Sequence, residues 1–142
     1  MKPDNRPTAA PMRQRVAIYH NPKCSKSRQA LSLLRANGVE PEVIEYLKQP
    51  LDTEGVRDLI GMLGIRPHDL VRTKETAYKK LKLSPSSTTD EIAEAIANNP
   101  ILLERPVIVC GKSAIIGRPP ERVLSWLRRN RRKSATSGKP AA

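Results

Sequence analysis

A chain of 142 residues with 38% hydrophobic content can bury one core, and it holds neither an apolar run near the ~20 residues of a membrane span nor a signal-peptide segment in MKPDNRPTAAPMRQR. Its two cysteines make no disulfide framework and neither stands in a Cys/His cluster with zinc spacing, so a cytoplasmic protein with thiol chemistry and no metal is expected. The net charge of +12 suggests a nucleic-acid binder until it is divided: residues 1–15 carry +3 and residues 128–142 carry +6, which leaves only +3 on the body between them.

Residues 1–14 lack apolar periodicity and are expected to form a disordered basic tail. VAIYH (Val16 to His20) is a short apolar, β-favouring run stopped by Asn21-Pro22, which predicts a buried strand leaving into a loop. From Ser27 onward Ala30, Leu31, Leu33 and Leu34 fall at helical spacing, with Gly38 placed to cap the end. PEVIEYL gives a second strand around Val43 to Leu47, and a β-α-β unit of this length favours a parallel pair.

A helical insertion is predicted over about 52–99. Val56, Leu59, Ile60 and Leu63 share one face, with Asp52 or Thr53 as cap and Gly64 as stop. RPHDLV and KETAYKKL read as shorter helices, and Thr88 with Glu91 has the spacing of a capping box ahead of Ile92, Ala95 and Ile96. PVIVCGKSAIIG is two apolar runs about Gly111-Lys112, a hairpin signal. Pro119-Pro120 opens a last helix whose Val123, Leu124 and Leu127 can cover the sheet, and Trp126 is the largest side chain available to a core without Phe. The order βαβ, helices, ββα predicts an α/β, thioredoxin-like fold over residues 15–128: a mixed sheet of about four strands with the insertion between its halves. Residues 129–142 are expected to be a second disordered basic tail, able to touch RNA, DNA or an anionic membrane surface only through nonspecific electrostatics.

This order sets Cys24 between the first strand and the first helix. A thiol at a helix N-terminus faces unpaired backbone N–H groups and the positive end of the helix dipole, both of which favour the thiolate. His20, Lys23, Lys26 and Arg28 add positive or proton-bearing neighbours, so a lowered pKa and a nucleophile at neutral pH are expected. The same N–H groups, with the hydroxyls of Ser25 and Ser27, make a cradle for a tetrahedral oxyanion. A structural cysteine in a basic loop is the alternative. Two spacings narrow the chemistry: a C-x-x-C oxidoreductase needs a second thiol where Ser27 stands, and a C-x5-R phosphatase needs an arginine where Ala30 stands. Cys110, ending VIVC, reads as a small buried hydrophobe.

YHNPKCSKSR resembles the active-site segment of the glutaredoxin-linked arsenate reductase family (ArsC-like), and the likeness continues in order through LVRTKE, ILLERPVIV and IGRPPERVL, covering roughly residues 16–127. The resemblance implies that Cys24 attacks arsenate to form a thiol-arsenate adduct, that glutathione, a co-substrate rather than a bound cofactor, displaces it to a mixed disulfide, and that glutaredoxin helps release arsenite. It also implies that Arg72, Arg105 and Arg118 bind and stabilise the oxyanion, and that Pro106 is the family's cis-proline. Fixed guanidinium charge suits the task, since a dianion and a thiolate otherwise repel. His20 is expected to tune the thiolate or position the loop, and Ser27 to donate to the sulfur.

KCSKSR, with lysines on both sides of Cys24-Ser25, is the version of the loop found in the YfgD-type branch of the family, and arsenate and phosphate share shape and charge, so the oxyanion stays open on these residues alone. Two other readings stand beside this one. A Spx-like regulatory protein shares the fold but typically uses a two-cysteine switch, against which Ser27 argues. A monothiol glutathione-dependent reductase needs fewer arginines, although glutathione's carboxylates also suit them.

Overall fold

In the computed structural model, which describes residues 16–119 and 121–137, VAIYH becomes β1 (Val16–His20) with every residue buried. A strand buried on both faces belongs inside a sheet, and the strand order is β2-β1-β3-β4. β2 (Glu42–Glu45) runs parallel to β1, whereas β3 (Val107–Cys110) is antiparallel to β1 and to β4 (Ser113–Ile116), which follows it through a tight turn at Gly111-Lys112. This is the α/β fold with a mixed four-stranded sheet that the element order predicts. The described residues divide into two compact units, residues 16–45 with 105–137, and Tyr46–Glu104.

In the sheet unit, the side-chain period of two sorts each strand. Val16 and Ile18 of β1 and Ile108 and Cys110 of β3 share one face, paired across the ladder as Val16 with Cys110 and Ile18 with Ile108. Helix α1 (Ser25–Ala36) covers that face with Ala30 and Leu34, and helix α5 (Arg122–Ser137) with Val123, Trp126 and Leu127. Leu124, expected among them, is only half-buried; Trp126, with the larger apolar surface, takes the inner position and donates Nε1–H to Ser113 Oγ at 3.2 Å.

Helix α1 starts two residues earlier than Ser27, because extended Cys24 accepts the first helical hydrogen bond, from Arg28 N–H at 3.0 Å. It ends in a Schellman motif: Gly38, at φ +78°, gives its N–H to Arg35 O, and Val39 gives its N–H to Leu34 O at 2.9 Å. Leu34 and Val39 both join the core, so the same reversal that satisfies carbonyls buries the chain leaving the helix. β2 is shorter than expected. Its pairing ends at His20 with Glu45, where β1 turns away at Asn21-Pro22, so Tyr46 and Leu47 have no neighbouring strand to pair with and fall in a turn. At the other end α5 runs past residue 129, where a tail was expected, because Arg, Lys, Ser and Ala can all continue a helix once packing has nucleated it. The expected tail over residues 1–14, and residues 138–142 of the other, lie outside the described residues.

The second unit is helical, as predicted, but extends beyond 52–99 at both ends. Helix α2 (Thr53–Leu63) is capped by Asp52, whose Oδ1 accepts from Gly55 N–H at 2.7 Å, and it ends at Gly64. Helix α4 (Thr89–Asn98) begins in a full capping box: Glu91 N–H donates to Thr88 Oγ1 at 3.1 Å and Thr88 N–H to Glu91 Oε1 at 2.8 Å. α2 and α4 pack through buried Val56, Leu59 and Ile60 and buried Ile92, Ala95 and Ile96. RPHDLV gives a 3-10 turn (Pro67–Leu70) and KETAYKKL a short helix, α3 (Thr76–Lys80). An isolated antiparallel bridge joins Val71 to Leu103.

Candidate active site

The loop between β1 and α1 is built by Asn21. Its side-chain Oδ1 accepts from Lys23 N–H at 3.0 Å, its carbonyl accepts from Cys24 N–H at 3.0 Å, and its own N–H donates to Ser27 Oγ at 3.1 Å. Buried at the strand end, Asn21 folds the chain back so that Cys24 becomes the N-cap of α1, with φ −97° and ψ 122°. Sequence reasoning credited Asn21-Pro22 only with ending the strand; the Asn-Pro pair at that point was the available signal.

The thiol of Cys24 is partly exposed and is not part of a disulfide. Burial alone pushes its pKa up, but a hydrogen bond with the Arg105 guanidinium, the backbone N–H of Ser27, the charge of Arg105 and the backbone N–H of Lys26 together outweigh burial, and the pKa is lowered. Ser27 and Lys26 thus meet the sulfur as backbone, as residues of the first helical turn do. The Ser27 hydroxyl does not donate to the sulfur as expected: fully buried, it lies 2.6 Å from His20 Nδ1 and takes the Asn21 N–H, because a polar group sealed from water must find its partners inside. His20 thereby holds the loop through Ser27. Its pKa is lowered, first by burial and further by Arg35 and Arg28, against the opposing charge of Glu45.

Arg118 leaves the end of β4 and does two things. Its Nε–H donates to the Arg105 carbonyl at 2.8 Å, and its Nη2 reaches 3.9 Å from Cys24 Sγ. Two guanidinium groups therefore converge on one sulfur. Both arginines precede a cis peptide bond, at Pro106 and at Pro119. Between the strands Gly117 N–H donates to the Pro106 carbonyl at 2.8 Å. The approach there is too close for a side chain, because a Cβ on Gly117 would lie 2.9 Å from Ile108 Cδ1 and 3.1 Å from Pro106 Cγ. Gly117, which the sequence reading did not single out, is what lets the Arg105-Pro106 and Arg118-Pro119 segments run side by side.

Arg28 donates Nη1–H to the Pro22 carbonyl at 2.8 Å and braces the loop from outside. Ser25 is exposed on the first turn of α1. Arg72 belongs to the helical unit, where its N–H donates to Leu102 O at 2.8 Å and its Nε stands 3.2 Å from Glu75 Oε1. Cys110 is buried in the core. Among the described residues no cluster of three or more His, Cys, Asp and Glu is placed to hold a metal ion. No helix among them is long and apolar enough to cross a membrane.

A lowered-pKa thiolate beside two guanidinium groups can attack an electrophile that arrives as an anion, and the comparisons with known proteins agree with that chemistry. The model of the ArsC family matches residues 19–126. The protein named uncharacterized protein YfgD from Escherichia coli K12 is 51% identical over 115 residues, 80% of this chain and 97% of that protein. The protein named arsenate reductase from Neisseria meningitidis (strain Z2491) is 42% identical over 114 residues, 79% of this chain and 97% of that protein. A solved structure described as the arsenate reductase from Vibrio cholerae superposes with a TM-score of 0.75 at 44% identity, covering 79% of this chain and 97% of that one.

Proposed function

This chain belongs to the ArsC family, and from that premise we propose that it reduces arsenate to arsenite, with Cys24 as the nucleophile, glutathione as co-substrate and glutaredoxin as the partner that resets the enzyme. The Cys24 thiolate attacks arsenic and a hydroxyl leaves as water after protonation, giving a Cys24–S–As(V) adduct. Glutathione thiolate then attacks the Cys24 sulfur, the S–As electron pair passes to arsenic, and arsenite departs as As(III). Two electrons have left the two thiols, which are now joined as a mixed disulfide. Glutaredoxin takes the glutathione moiety and returns Cys24 to its thiolate.

The observation that carries this reading is the pair of guanidinium groups on Cys24: a side-chain hydrogen bond with Arg105, and Arg118 Nη2 at 3.9 Å. Fixed charge at that spot lets a dianion approach a thiolate and stabilises the negative charge that builds on the oxygens during attack. Arg72 is assigned to the same anion by the family resemblance alone, and Ser25 by its place on the first turn of α1 beside Cys24.

Arsenite formation in the presence of glutathione and glutaredoxin tests the proposal. Cys24→Ser abolishes turnover, and Arg105→Ala or Arg118→Ala lowers kcat by roughly 10²–10³, the usual loss when one transition-state donor is removed. A wild-type protein that releases no arsenite but cleaves glutathione mixed disulfides is a monothiol reductase, and the arsenate reading is then wrong.

A further inference from the structure

Helices α1 and α2 leave their last turns through glycine in the left-handed region, Gly38 at φ +78° and Gly64 at φ +64°. α3 leaves through Lys82 at φ 55°, the single non-glycine residue at positive φ among the described residues. The turn is a Schellman motif: Lys82 gives its N–H to Lys79 O at 3.1 Å, and Leu83 gives its N–H to Tyr78 O at 3.2 Å. A side chain at that position brings Cβ against the following carbonyl, a strain that glycine avoids. The helix dipole favours cations at this end, which accounts for Lys79 and Lys80 but not for a lysine in the glycine position. Nothing inside the helical unit draws the Lys82 side chain there, since it is exposed and its ammonium group has no ion pair or hydrogen bond among the described residues. A strained residue that the fold does not use points to a use outside it.

We propose that the C-terminal turn of α3 is a docking site for an acidic protein surface that presents an apolar side chain among its carboxylates. Leu81, 45% exposed, stands between Lys80 and Lys82, and Lys79 precedes them; all three lysines are exposed. Thr76, Lys79 and Lys80 share the outer face of α3 at i, i+3 and i+4, whereas Ala77 and Tyr78 are half-buried, with Tyr78 OH 2.8 Å from His68 Nε2. Lys79 and Lys80, like Lys82, take part in no ion pair among the described residues. An apolar residue flanked by cations is the layout of a small interface, in which lysine stays at the rim. The chemistry selects the occupant. A phosphate backbone offers nothing to Leu81, and arginine, the better fork for phosphate, is absent from residues 73–83. A membrane surface needs an apolar face, and this turn has one large exposed apolar residue. Carboxylates around an apolar side chain match both features, and their charge steers the encounter.

Fluorescence anisotropy of a labelled peptide, EEELEEE, titrated with the full-length chain at low salt, tests the proposal, with amide NMR shifts locating the contact. The shifts move at residues 79–83, and K79Q/K80Q weakens binding about fourfold, at roughly twofold for each exposed ion pair. The same peptide with serine in place of leucine binds about fivefold less tightly. K82G relieves the left-handed strain and raises the urea midpoint by about 0.5 M while weakening binding about twofold. Unchanged thermal unfolding shows that K79Q/K80Q remains folded. Shifts that leave residues 79–83 unmoved, an affinity that K79Q/K80Q does not alter, equal binding of the serine peptide, a midpoint that K82G does not raise, or tighter binding of a DNA duplex or phosphatidylserine vesicles than of the peptide at residues 79–83 overturns the proposal.

Discussion

Replacing Gly117 with alanine tests the claim that this glycine sets the spacing beneath the two site arginines. The added methyl meets three neighbours at once: Ile108 Cδ1 at 2.9 Å, Pro106 Cγ at 3.1 Å and Val123 Cγ2 at 3.2 Å. Carbon pairs are comfortable at about 3.5–4.0 Å, so every contact is too short. One of the three is a stiff proline ring and another, Val123, is fully buried, which leaves little room to yield. Overpacking of this kind costs about 1–3 kcal/mol, and with a urea m-value of about 1–3 kcal/mol per molar the midpoint falls by about 1 M. Trp126, the single tryptophan, lies in the same unit and reports its unfolding by fluorescence. Gly61 is the control: it sits inside α2 with nothing within 4 Å of a built Cβ, so Gly61→Ala stabilises its own unit by about 0.5–1 kcal/mol, read by circular dichroism. A Gly117→Ala protein as stable as wild type shows that the neighbours relax freely, and the spacing argument then fails.

Stability should also depend on pH through His20. Its folded pKa is depressed, so the unfolded chain binds the proton more readily; the contribution is full above the ordinary histidine value of about 6.5 and is lost as pH falls through the lower folded value. Urea midpoints measured from pH 7.5 down to 5 should drop, and the drop should be shallower in His20→Gln. Thr88→Ala removes the side-chain half of the α4 capping box and costs about 1 kcal/mol in thermal or urea unfolding. Cys110→Ala should keep thiol-dependent turnover while lowering stability by about 1 kcal/mol, and a collapse of turnover in a folded protein would give the second sulfur a chemical role.

The parts of this molecule that were readable in its sequence are those fixed by local rules. VAIYH announced a buried strand, Asp52, Thr88 and Glu91 announced helix starts, and Gly111-Lys112 announced a hairpin, because each depends on neighbours in the chain. Cys24 was legible for the same reason, lying where a strand, an Asn-Pro turn and a helix start meet. What stayed hidden depends on partners distant in sequence. β2 stops at Glu45 because β1 stops at His20. The Ser27 hydroxyl turns to His20, a choice set by burial and not by spacing. Gly117 looks like any loop glycine until Ile108, Pro106 and Val123 are placed around it. The continuation of α5 was missed because its basic, periodicity-free residues are also those of a solvated tail.

The position of Cys110 bears on how the protein endures oxidation. It pairs with Val16 at the far end of β1, while Cys24 follows His20 at the near end, and four residues of strand separate those ends by about 13 Å, well past the ~7 Å limit between bridgeable cysteines. With serine at the third residue after Cys24, the chain has no internal thiol to trap a sulfenic acid before peroxide drives it to the irreversible sulfinic form. Its survival under oxidative stress therefore rests on small thiols diffusing in from outside, and its working life should track their concentration more closely than it tracks its own folding stability.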